Sequence, residues 1–103
     1  MKGGLNIPTI VGSLPVVRFT RLDARHRPTG AGSHDAHLVG PSVTAYGLVI
    51  CRATDPAGYF LFTCQDDWYP MYDTWHATID EALRQAEFEY EGSISTWEEP
   101  PCA

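Results

Sequence analysis

The 103-residue sequence predicts an α+β fold: an antiparallel sheet of four to five strands, with one helix at about 78–91 packed on one face. Three observations carry this expectation. Two segments rich in β-branched and aromatic residues, 43–52 and 59–64, flank the turn sequence Thr54-Asp-Pro-Ala-Gly58. A single apolar stripe of helical period follows Thr78. Between these elements lie proline, glycine and aspartate in turn positions.

The elements follow in order. Residues 1–13 are Gly-rich and read as a loose lead-in to one small domain spanning 1–103. Residues 14–20, LPVVRFT, suit a strand. Residues 24–42 are mostly breakers, polar groups and histidines, and read as a long loop. At the hairpin, Asp55 can bond its own backbone, Pro56 presets φ and Gly58 accepts positive φ. A loop over Asp55–Gly58 sets Cys51 opposite Phe62. Val49, Cys51, Phe60, Phe62 and Cys64 then share one face, and Leu48, Ile50 and Leu61 the other. Both faces are apolar, so the hairpin belongs in the sheet interior. Residues 71–75 can return as a third strand, which Pro70 restricts to an edge or an entry point.

Thr78 and Glu81 form a T-x-x-E capping box, and Asp80 and Glu81 suit the positive end of the helix dipole. Ile79, Ala82, Leu83, Ala86 and Tyr90 make the apolar stripe, and Gly92 is the expected stop. Residues 94–98 suit a short last strand before Pro100. The core set is Leu48, Ile50, Phe60, Phe62, Trp75, Leu83 and Ala86.

One ring is out of place. Phe88 lies nine residues past Ile79, half a turn off the stripe at 100° per residue, among Glu81, Arg84 and Glu91. Either Trp97 folds back to cover it, or it is an exposed anchor ringed by carboxylates.

Charge narrows the function classes. Residues 1–52 carry six basic and two acidic groups, and residues 53–103 carry one basic and eleven acidic; +4 and −10 give the net −6. A sequence pI near 4.9 argues against a nucleic-acid binder. The segment Arg18-Arg21-Arg25-Arg27 is a local basic cluster, but Arg18 and Arg21 fall on opposite faces of a strand. No apolar run approaches the length of a membrane span, no leader pattern opens the chain, and three cysteines do not make a disulfide framework. The expected setting is cytoplasmic.

Candidate chemistry is sparse. His76 is a potential general base, but Asp73, three residues earlier on a strand, points to the other face and cannot orient it. His34 and His37, with His26 nearby, are metal-ligand types without helical H-E-x-x-H spacing. Cys51 and Cys64 sit among aromatics, where a thiol stays protonated. No metal, cofactor or catalytic set is assigned.

The block Cys64-Gln-Asp-Asp-Trp68, Asp73-Thr-Trp-His76, Glu81-Ala82 and Gln85-Ala-Glu-Phe-Glu-Tyr90 resembles a group of small uncharacterised bacterial proteins. They share a D-T-W-H … E-A-x-x-Q-A-E-F-E-Y signature. The resemblance covers about residues 46–92, and weakly 21–30. It implies a similar hairpin and helix, and no activity that can be carried over.

The leading expectation is an acidic interaction protein of the immunity or inhibitor type, binding a basic protein through Phe88, Glu81, Glu87, Glu91, Asp66, Asp67 and Trp68. The alternative is a small hydrolase or metal-dependent enzyme using His76 or the His34/His37 loop. A homodimer is the third option.

Overall fold

The structure is a computed structural model that describes residues 7–23, 26–28, 45–54 and 57–100. In chain order its elements are β1 (Ile10–Val11), β2 (Leu14–Arg21), β3 (Arg27–Pro28), β4 (Gly47–Thr54), β5 (Ala57–Gln65), β6 (Tyr69–His76), α1 (Ile79–Glu89) and β7 (Tyr90–Glu91). Five strands form one antiparallel sheet in the order β1-β2-β4-β5-β6, and β3 pairs with β7 as a separate two-residue ribbon. The α+β expectation holds.

β4 and β5 are the centre, as their two apolar faces require. Leu48, Ile50 and Leu61 face α1 and pack with Ala82 and Ala86. Val49, Cys51, Phe62 and Cys64 face the other way and join Val11, Val16, Phe19 and Trp68. Each large aliphatic side chain so buried contributes about 1.5–3 kcal/mol. The sheet curls, so that β1 folds over the second face and Gly12 lies on the Phe62 ring, where an added Cβ would come within 2.8 Å. Residues 10–11 are therefore structured, with Val11 buried, where the sequence suggested a loose lead-in.

The hairpin register differs from expectation by two residues. Pairing runs on to Thr54↔Ala57, so Cys51 stands opposite Phe60 and Cys64 opposite Gly47. Ala57 and Gly58 belong to the strand, not to the loop. A two-residue slip leaves every side chain on its expected face, because the side-chain period is also two.

α1 begins as its capping box predicts. The Glu81 amide donates to Thr78 Oγ1 (3.1 Å), and the Glu81 carboxylate accepts from the Ala77 amide (3.1 Å). It ends at Glu89, two residues before the expected boundary, because Tyr90 turns extended to pair with β3. Gly92, at φ 99°, opens the following 3-10 turn, Ser93–Ser95. The final strand expected over 94–98 is absent; only Glu98 pairs, as an isolated bridge to Phe19.

Leu48, Ile50, Phe62 and Ala86 are buried as expected, and Phe60 and Leu83 are partly buried against the cores. Trp75 is a correction. It is 45% exposed, because β6 is the last strand and its ring lies over Gly58 with nothing further outward among the described residues. Most of residues 24–42 lies outside the described residues.

Candidate functional site

The most distinctive surface is β6 with the turns at its two ends. Asp66–Trp68 is a 3-10 turn joining β5 to β6, in which Asp67 (φ 68°) and Trp68 (φ 60°) take left-handed backbone. Aspartate tolerates that region, whereas tryptophan adopts it at a cost in strain. The turn throws the Trp68 ring back over the sheet, where it packs edge-on against Phe19 (5.9 Å) and Tyr46 (5.2 Å). Trp68, expected as a partner anchor, is thus core at 5% exposure. Asp66 and Asp67 remain exposed, and the ring exposed beside them is Tyr69, at 63%.

Along β6 the side chains alternate. Asp73 and Trp75 stand opposite Phe62 and Phe60 on the curled face, whereas Thr74 and His76 stand opposite Leu61 and Tyr59 on the helix side. Asp73 therefore cannot orient His76, as strand geometry predicts. Asp73 is exposed, and His76 Nε2 bonds Thr74 Oγ1 instead (2.7 Å). Partial burial holds the His76 imidazole below its ordinary range, against the opposing pull of the Glu81 and Glu89 carboxylates. Glu89 itself is buried, with Gln85 Nε2 donating to it at 2.6 Å. Sequence reading passed over Glu89 as polar, although it lies seven residues after Ala82, on the buried stripe.

The expected helix-face site divides. Phe88 is 60% exposed, and Trp97 packs on the helix-side core. Glu81 is exposed and caps the helix. Glu87 is engaged within the fold: its carboxylate accepts from the Gly92 (3.1 Å) and Ile94 (2.9 Å) amides. Those backbone N–H groups, Ile94 first, hold the Glu87 carboxyl below the usual carboxylate range. Glu91 lies in β7, paired along the backbone with Arg27.

The remaining candidates have structural duties. His26 has a side chain only 1% exposed; its Nδ1 accepts from the Asp23 amide (3.0 Å), so Nε2 carries the proton and donates to Thr96 Oγ1 (2.8 Å). Thr96 also bonds Thr20 (2.6 Å) and the Ser93 carbonyl (3.1 Å), which fastens the C-terminal segment to β2. Burial pushes the Cys51 and Cys64 thiols up to about 12. His34 and His37 lie outside the described residues. Among the described residues no group of three His, Cys, Asp or Glu side chains is placed to hold a metal, and no helix is long and apolar enough to cross a membrane. Of the basic cluster, Arg18 meets Glu99 (3.6 Å) and Arg21 covers the Tyr46 ring (4.5 Å), while Arg25 lies outside the described residues.

Comparison with known protein families, with curated proteins and with solved structures finds no match to this chain.

Proposed function

We propose that this chain is a small acidic protein-binding module, of the immunity or inhibitor type, that takes a basic protein partner. The observation that carries the reading is a stretch with no counter-charge. Residues 53–83 contain no lysine or arginine, and exposed Asp66, Asp67, Asp73, Asp80 and Glu81 stand on β6 or at its two ends. A field of one sign over a surface bearing exposed rings steers an oppositely charged partner and then holds it by burial. Tyr69 and Trp75 add to Phe88 as the aromatic groups available for that burial.

The test is capture by the tagged protein from a lysate of its source organism, at low and high salt, with captured proteins identified by mass. Basic proteins held at ~50 mM salt and released at ~500 mM are expected, since charge screening shortens the Debye length several-fold over that range. Capture that ignores salt, or that selects acidic proteins, overturns the reading.

One observation favours a second reading. Partial burial holds the His76 imidazole below its ordinary range, on the side of the sheet that carries α1, a setting that suits a general base. A hydrolytic activity abolished by His76→Ala, with the far-ultraviolet circular dichroism spectrum intact, would establish it.

A further inference from the structure

We infer that the outer edge of β6 takes an extended basic segment of the partner as an added strand of the sheet. The inference rests on the reading of this chain as an acidic binding module, and it specifies how that module binds.

Among the described residues the edge is open. β6 runs eight residues, Tyr69 to His76, and no described residue pairs with its outer side. Its regular part, Tyr72 to His76, spans roughly 17 Å and offers outward N–H and C=O groups. Sheet edges are ordinarily blunted by lysine, by proline, by a bulge or by a covering loop, and the bulge at Met71 blunts only the entry end of β6. Here Pro70 removes one donor near the entry, and no lysine follows it. The charge on the strand is Asp73, an acid.

The side chains specify what the added strand carries. Asp73 and Trp75 lie on one face of β6, opposite Phe62 and Phe60; Met71 is the extra residue of a bulge between Pro70 and Tyr72. A residue laid beside Asp73 meets an exposed carboxylate that has no ion pair among the described residues. The next residue on that face lies against the Trp75 indole, which is seated on Gly58 so closely that a Cβ there would come within 2.5 Å. A ring fixed from below and open above suits a guanidinium or ammonium group. Asp66 and Asp67 at one end, and Asp80 and Glu81 at the other, extend the same preference past both ends of the strand. A second copy fits poorly. Two β6 edges in antiparallel register about Asp73 would set carboxylate against carboxylate, between chains each carrying −6.

The probes are three capped nine-residue peptides: alternating arginine and valine; the same sequence with N-methyl groups along one backbone edge; and alternating glutamate and valine. Each is titrated at low salt into the full chain, and amide hydrogen exchange is followed residue by residue. The arginine–valine peptide is expected to bind and to slow exchange of the outward β6 amides at least tenfold. The N-methylated peptide is expected to bind at least tenfold more weakly, and the glutamate–valine peptide not at all. Asp73→Lys should weaken binding at least tenfold. Glu99→Lys, which changes net charge equally from the far side, should weaken it less than threefold; circular dichroism checks both folds.

Equal binding of methylated and unmethylated peptides, or equal loss from Asp73→Lys and Glu99→Lys, overturns strand addition and leaves the acidic module standing. Failure of every basic peptide to bind at low salt removes both. A dimer by light scattering whose β6 amides are already protected without peptide also overturns the inference, since the occupant is then a second copy.

Discussion

The two edges of the sheet are treated differently. On the β2 side the chain closes its own edge. β1 pairs through Ile10↔Pro15 and Val11↔Leu14, and farther along Phe19 and Glu98 exchange two backbone bonds of 2.9 and 2.8 Å. On the β6 side no described residue covers the edge, and the acids gather there. Both ends of the described chain are spent on one edge, and no described residue pairs with the other. The contrast separates the groups that hold the fold from those left at the surface.

The largest expected effect comes from breaking the curl that makes closure of the β2 edge workable. Trp68 reaches across β4 to Phe19 because Gly47 has no side chain; a Cβ there would come within 2.3 Å of the indole. Gly47→Ala should expel or tilt the ring and cost about 3 kcal/mol, the upper range for overpacking a core. Denaturant unfolding measures it, and tryptophan emission should shift to the red as Trp68 meets water. An unchanged midpoint would mean the ring is not seated there.

Next is the bridge itself. Glu98→Pro removes the N–H donated to the Phe19 carbonyl, on a buried β2 residue. Leaving that acceptor unsatisfied should cost about 2 kcal/mol. Exchange of β2 amides near Phe19 should accelerate, while β6 amides keep their wild-type rates. Acceleration at both edges alike would erase the distinction between them.

How much of this was legible in the sequence follows from what kind of signal each part has. The hairpin faces were readable, because a period of two survives even a register error of two. α1 was readable, because Thr78, Glu81 and the Ile79–Ala86 stripe act locally. The closure was not. Nothing in the order of residues says that Val11 covers Phe62 or that Glu98 finds Phe19, since these contacts are set by sheet curl and not by period. Trp68 looked like a surface anchor because it follows two aspartates; only the left-handed backbone at Asp67 and Trp68 turns it inward. The sole local hint was Gly47, a residue that weakens a strand unless another group needs its space. For the same reason Trp75 was expected inside: its pattern is that of a core residue, and its position on the last strand is a property of topology.

A smaller effect tests how the closing segment is steered. Glu87 binds the Gly92 and Ile94 amides and so directs the chain from α1 toward β2. Glu87→Ala should cost about 1 kcal/mol at pH 7, the scale of a lost helix cap. The pH dependence has a definite sign. The folded carboxyl is held below its unfolded value of about 4.3, so its stabilisation is complete above that value and is lost as pH falls through the folded one. The gap between wild type and Glu87→Ala should therefore narrow from pH 5 downward. A gap that stays constant to pH 2 would mean that Glu87 does not act through its charge.

The smallest effect on stability is expected at the open edge, and its smallness is the point. Asp73 is exposed on a terminal strand and has no ion pair among the described residues, so Asp73→Lys should move the unfolding free energy by no more than about 0.5 kcal/mol. A cross-strand neighbour would change this, because reversing a charge inside a ladder creates a like-charge or unpaired contact on both sides. Among the described residues Asp73 has one ladder partner, Phe62, on the inner side. Chemical denaturation of wild type and variant, compared with Glu98→Pro under the same conditions, decides the matter. A loss at residue 73 as large as that at residue 98 would mean that the β6 edge is held by the fold as firmly as the β2 edge. It would then have no free ladder to offer a partner. A near-zero loss, beside a real one at residue 98, leaves Asp73 conserving nothing in the fold and its carboxylate available for binding.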